Sequence, residues 1–191
     1  MKENQKKRMN KNTILFAVIL LCLAALIYLS LGGQGMPHPS GLPLDAGARP
    51  AAERAAAPDF TLADLEGKKL TLSELRGKVV VLNFWTTTCG PCVAEMPSLD
   101  RLYATFSEQP FKVVAVTLDA GRRAERTVNR LELNFPVVFD HSGRVADRYQ
   151  VRGTPTSFII DKQGMVVERA NGPVAWDEPA VARYLMDLIH E

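Results

Sequence analysis

The run Val79-Val80-Val81-Leu82-Asn83-Phe84-Trp85 is apolar at every position but Asn83. A strand with one wet face alternates apolar and polar residues, whereas a near-continuous apolar strand is covered on both faces. The run predicts a central strand inside a layered α/β domain. Directly after it comes Thr86-Thr87-Thr88-Cys89-Gly90-Pro91-Cys92, where the apolar pattern stops and a helical one begins.

The helical pattern places Val93, Met96, Leu99, Leu102, Tyr103 and Phe106 on one face over residues 92–106. Residues 111–118 form a second apolar run, predicted as another central strand, and residues 122–133 a helix carrying Ala124, Val128 and Leu131 inward. Residues 69–72 alternate after the turn signal Glu66-Gly67, and residues 135–139 suit a short strand. Residues 157–161 and 165–169 flank Lys162-Gln163-Gly164 as a hairpin, and Val181, Tyr184, Leu185, Leu188 and Ile189 mark a final amphipathic helix. The expected fold is α/β: a central mixed β-sheet flanked by helices.

Charge divides the chain. Lys2, Lys6, Lys7, Arg8 and Lys11 face only Glu3 within residues 1–12, while residues 58–191 carry a slight acidic excess. The basic residues are therefore terminal, and nothing supports a nucleic-acid footprint. Residues 13–31 carry no charge; as a helix they would span about 28 Å, the thickness of a hydrocarbon core. The reading is a transmembrane anchor or uncleaved signal, with a cleaved signal peptide as the alternative and Cys22 as an apolar member of the span. The positive flank puts residues 1–12 in the cytoplasm and the remainder across the cytoplasmic membrane, on the periplasmic or extracytoplasmic side. Residues 32–57 are rich in Gly, Pro and Ala and read as a flexible linker of about 28 Å root-mean-square span, partly helical over 51–57. Residues 58–191 form the globular domain.

Three cysteines are too few for a disulfide scaffold, so Cys89 and Cys92 read as chemistry. A cysteine where a strand gives way to a helix is stabilised as thiolate by the helix dipole and its unpaired N–H groups. Cys92, one turn further in, is expected to be less exposed. Gly90 leaves room for another backbone, and Pro91 suits a first helical turn. His38, His141 and His190 are scattered, so no metal site is expected. Arg122, Arg123, Arg126 and Arg130 read as a solvated helix face, and Trp176 as packing.

From about residue 57 onward the chain resembles thioredoxin-like proteins, most closely the membrane-tethered TlpA/ResA type. The resemblance rests on Ala57-Pro58-Asp59-Phe60-Thr61-Leu62, Val81-Leu82-Asn83-Phe84-Trp85, Cys89-Gly90-Pro91-Cys92, Glu95-Met96-Pro97, Gly153-Thr154-Pro155-Thr156 and Ile160-Asp161-Lys162-Gln163-Gly164. It implies a thioredoxin-like fold and dithiol–disulfide exchange through Cys89 and Cys92 as a redox-active disulfide, without a cofactor. It implies a cis Pro155 beside the motif, with Trp85, Gly90, Pro91, Thr154 and Pro155 as the substrate-binding surface. Two departures stand out: Thr88 replaces a tryptophan common before the first cysteine, and Asn83, which cannot titrate, replaces the buried aspartate of thioredoxin. TlpA/ResA-type proteins carry a Glu three residues after the second cysteine, so the resemblance implies that Glu95 moves protons; the other reading is that it simply complements the helix dipole. Partners implied are protein thiols and disulfides, such as apocytochrome c or copper-site proteins in cytochrome c biogenesis, with reducing power supplied by a membrane electron donor. Two alternatives remain: a copper or apocytochrome chaperone that binds through the thiols without turnover, and a redoxin-type peroxidase. The second has Thr86 in place but Leu82 where peroxidases carry proline.

Overall fold

The structure is a computed structural model, in which residues 42, 50–119 and 121–191 are described. The expected tail over 1–12, the anchor over 13–31 and most of the linker lie outside the described residues. Among the described residues no helix is long and apolar enough to cross a membrane.

Eight strands and four α-helices make up the described body. In chain order the strands are β1 (Ala55–Ala56), β2 (Thr61–Ala63), β3 (Lys69–Thr71), β4 (Val79–Trp85), β5 (Phe111–Thr117), β6 (Val137–Phe139), β7 (Thr156–Ile160) and β8 (Met165–Asn171). The helices are α1 (Gly90–Thr105), α2 (Gly121–Leu131), α3 (Arg144–Arg148) and α4 (Pro179–His190). The main sheet runs β1-β8-β7-β4-β5-β6, and β2-β3 form a separate pair. β4 pairs parallel with β5 and antiparallel with β7, so the sheet is mixed as expected.

All seven residues of β4 are buried. Its alternating positions serve two cores. Val79, Val81 and Trp85 pack with Met96, Leu99 and Leu102 of α1 and Val181, Leu185 and Leu188 of α4. Val80, Leu82 and Phe84 face the other side, with Phe60, Val145, Tyr149 and Phe158. The Phe84, Tyr149 and Phe158 rings meet at centroid separations of 5.0–5.9 Å, inside the favourable range for aromatic pairs. The absence of alternation in the sequence is thus a strand with two burials to satisfy.

Three elements escaped the sequence pattern. Helix α3 is five residues long, too short to show a period; buried Asp140 accepts from the Val145 and Ala146 N–H groups at 2.9 and 2.8 Å and so holds its first turn. β1 falls where composition indicated linker. Within the segment expected to be partly helical over 51–57, a 3-10 helix over Ala51–Glu53 precedes two residues that pair with Val166 and Met165 of β8. β2 is only three residues long, too short for its exposed–half-buried–exposed alternation over Thr61–Ala63 to stand out as a period. The hairpin loop is as expected: Gly164 has φ 77°, and the Arg76 guanidinium occupies the place a Cβ would take.

What matters for function is register. Phe84 of β4 pairs with Thr156 of β7, and Trp85 with Thr117 of β5. The C-terminal end of β4, from which the cysteine motif departs, therefore lies beside the N-terminal end of β7, which Thr154-Pro155 immediately precedes.

Candidate active site

Cys89 is the N-cap of α1, with Pro91 in the first turn. Its sulfur accepts the Cys92 backbone N–H at 3.2 Å, and its carbonyl accepts from Val93. A sulfur so placed meets the positive end of the helix and one of its unpaired donors, both of which favour the thiolate. Cys89 and Cys92 are joined by a disulfide, with Cα atoms 5.2 Å apart. The two sulfurs differ in access: Cys89 is half-buried, while Cys92 is fully enclosed against Met96 and Trp85 in the core. An incoming nucleophile or disulfide can reach only the first.

The second wall of the site is the turn before β7. The Thr154–Pro155 peptide bond is cis, as expected. The Thr154 carbonyl oxygen lies 3.4 Å from Cys89 Sγ. In the disulfide this is a contact without a hydrogen; a reduced Cys89 thiol has a proton to donate there. Gly153, Thr154, Pro155 and Thr156 line an open groove together with Gln150, Arg152 and Gly172. Gly90 and Pro91, beside Cys89 in the chain, are exposed, and nothing within 4 Å would meet a Cβ on Gly90. Trp85 is the exception among the residues expected to touch substrate. It is wholly buried, its side chain turned into the core beneath the motif, because it continues the inward alternation of Val79 and Val81. It supports the site from below and offers no surface to a partner. Trp176 is equally buried, as a packing residue should be.

Beneath the cysteines lies a polar network in an apolar interior. Glu95, one turn after Cys92 on the same face of α1, is 5% exposed. Its Oε1 accepts from Asn83 Nδ2 at 2.8 Å and its Oε2 from the Val174 backbone N–H at 2.9 Å. Asn83 Nδ2 also donates to Ser157 Oγ at 2.9 Å. Desolvation outweighs these hydrogen bonds, and a weaker pull from the Trp176 indole, so the Glu95 pKa is pushed up to about 7. Asn83 Oδ1 is buried here without a hydrogen-bond partner among the described residues. A carboxyl poised near neutrality, one turn from the enclosed thiol, is suited to take and return a proton.

Ser157 and the Val174 N–H were not anticipated. Ser157 left a trace: it and Asn83 are the polar interruptions of two apolar strands, and they pair directly across β4 and β7. The Val174 contact is a backbone donor from a loop and leaves no mark in side-chain chemistry.

Residues 54–169 match the AhpC/TSA family. A "Thiol-disulfide oxidoreductase ResA" of Bacillus cereus is 38% identical over 165 residues, covering 86% of this chain and 91% of that one. One of Bacillus anthracis is 39% identical over the same coverage. The chain belongs to the ResA-type thiol-disulfide oxidoreductases of the AhpC/TSA family. Solved structures of thiol–disulfide proteins share the fold. A proposed thiol:disulfide interchange protein DsbE from Chlorobium tepidum is 34% identical with a TM-score of 0.67, covering 71% of this chain and 96% of that one. StoA from Bacillus subtilis is 26% identical with a TM-score of 0.57, covering 68% and 98%. As a ResA-type protein with a paired Cys89 and Cys92, the chain is an enzyme of disulfide exchange on protein thiols and disulfides, and its thioredoxin-like fold is shared with these neighbours.

Proposed function

We propose that this enzyme works as a reductant of partner disulfides, held by residues 13–31 in the cytoplasmic membrane with residues 58–191 on the extracytoplasmic side. The observation that carries the mechanism is the unequal access of the two sulfurs, with the half-buried one at the N-cap of α1. Reduced Cys89, as thiolate, attacks one sulfur of a partner disulfide; an S–S bond forms to Cys89 and the other partner sulfur leaves with the electron pair. Cys92 then loses its proton to Glu95 and attacks Cys89, which closes the internal disulfide and releases the partner as a dithiol. Two electrons pass to the partner; its two departing thiolates take up one proton returned by Glu95 and one from solvent, which replaces the proton Cys89 had released there. Thr154 and Pro155, with the exposed backbone of Gly90 and Pro91, hold the partner segment during exchange.

The proposed direction rests on the proposed compartment together with the tether. Outside the cytoplasm thiols tend to be oxidised, so a reductant needs resupply across the membrane. A tether spanning about 28 Å keeps the domain at high effective concentration near a membrane electron donor. Apocytochrome c and copper-site proteins, substrates in keeping with the TlpA/ResA resemblance, are the proposed partners.

Cysteine variants in cells test the mechanism. Cys92→Ser is expected to accumulate mixed disulfides on non-reducing gels, and Cys89→Ser few. The opposite pattern would give the nucleophile's role to Cys92 and remove the basis of the proposal.

A further inference from the structure

Helix α2 presents one face to the cysteine loop. Arg123, Arg126, Thr127 and Arg130 follow the i, i+3, i+4, i+7 spacing of a single helical stripe, and together with Thr87 they line a groove of about 460 Å³. All three arginines are exposed, and no ion pair or side-chain hydrogen bond to a described residue engages them. Thr127, at 8% exposure, forms the floor and likewise makes no side-chain hydrogen bond to a described residue. On the loop side, Asp119 accepts the Thr87 backbone N–H through Oδ2 and forms no ion pair with a described residue. Glu125 is exposed on the same helix but does not line the groove.

This concentration of positive charge is set in a body that otherwise carries a slight acidic excess. A solvated helix face accounts for arginines in general. It does not account for three in one stripe, uncompensated, sharing a groove with Thr87. Thr87 precedes Cys89 by two residues, so the groove's rim lies within about 7 Å of chain from the reactive cysteine. Whatever occupies it sits beside the sulfur that exchanges.

Resting on the disulfide-exchange reading above, we propose that this groove is a docking site for an acidic segment of the partner polypeptide, flanking the cysteine that Cys89 attacks. Guanidinium forks recognise carboxylates in pairs, and Thr87 and Thr127 offer hydroxyls between them. An occupant anchored on α2 and running toward Thr87 is carried to Cys89. A lipid surface in the same place would cover that cysteine, so the geometry favours a polypeptide. The arginines act by positioning and by local charge, raising the association rate, and do not take part in the exchange itself.

The test uses the full reduced chain in neutral detergent and two disulfide-bonded peptides, identical except for four Asp and Glu or four Gln and Ser beside one cysteine. At low salt the acidic peptide is expected to be reduced at least tenfold faster in the second-order rate constant of a single turnover with the reduced chain in excess, mainly through tighter association. The advantage should vanish at 0.5 M NaCl and in Arg123→Gln/Arg126→Gln/Arg130→Gln, where the ratio falls to near 1. The variant with all three arginines changed to Lys should keep part of the advantage, which a merely structural role would not require. Equal rates for the two peptides with the wild-type chain would overturn the docking site while leaving the exchange mechanism intact. Failure to reduce either peptide would instead contradict the mechanism on which it rests. A neutral-peptide rate that is slower in phosphatidylglycerol than in phosphatidylcholine vesicles, and restored by the Gln variant, would assign the groove to lipid and overturn the proposal.

Discussion

Glu95 carries a carboxyl into a place that water does not reach, and its two hydrogen bonds do not restore what burial removes. Its pKa, raised from 4.5 to about 7, gives an unusual sign to the pH dependence of stability. Below about pH 4.5 the group is protonated folded and unfolded, and stability does not depend on it. Between 4.5 and 7 the folded protein keeps a proton that the unfolded chain releases, so stability falls as pH rises, by up to about 3 kcal/mol in all. The loss is complete about one pH unit above 7. Denaturant midpoints of the oxidised protein, in which neither cysteine titrates, should therefore drop between pH 5 and 8, and Glu95→Gln should flatten the slope. An equal drop in the variant would mean that Glu95 is not the group responsible. In the reduced protein the same substitution is expected to shift the thiol titration and slow exchange about tenfold or more. Glu95 could be suspected from the sequence through the TlpA/ResA resemblance, which pairs a non-titrating amide at Asn83 with a Glu three residues after the second cysteine. That the same amide would orient Glu95 and hold Ser157 was not legible, because it depends on the register of two strands far apart in sequence.

At the scale of elements, the sequence reads well wherever a period is long enough to repeat. β4, β5, α1 and α4 each offer at least seven residues of pattern, and the structure forms them within a few residues of expectation. Short elements are fixed by single contacts. β1 is one: its place depends on Arg54, whose Nη1 lies 3.0 Å from Asp161 Oδ2 and 2.9 Å from Glu191 Oε2, and on the Ala57 N–H, which bonds the Gly164 carbonyl at 3.0 Å. Arg54 thus ties the start of the described body to the hairpin and to the C-terminus. The Arg54 and Asp161 side chains are 6% and 3% exposed, so removing one leaves the other charge buried. Arg54→Ala is expected to cost roughly 3 kcal/mol in denaturant unfolding and to speed hydrogen exchange at the Ala57 amide. Asp161 keeps one hydrogen bond, from the Met165 N–H, so a cost below about 1 kcal/mol would mean that the ion pair is not what holds the edge. Such a contact spans 107 residues, and no local pattern announces it.

For the whole molecule, the thioredoxin-like arrangement follows from a central strand that must be covered twice and from a cysteine motif at its exit. The positions of Cys89, Cys92 and Pro155 were readable because they sit at element boundaries with strong local signatures. Trp85 was misjudged because proximity to the motif in sequence says nothing about which face of β4 a residue occupies. The proposed topology predicts that protease added outside spheroplasts degrades residues 58–191, whereas digestion only after lysis would place them in the cytoplasm. The central claim, a reductant, is tested most directly by the midpoint potential of the Cys89–Cys92 pair, read by alkylation after equilibration in thiol–disulfide buffers. The account predicts a value close to thioredoxin, about −270 mV, with the pair mostly reduced in cells; a value near about −120 mV, as in DsbA, with the pair mostly oxidised, would contradict it.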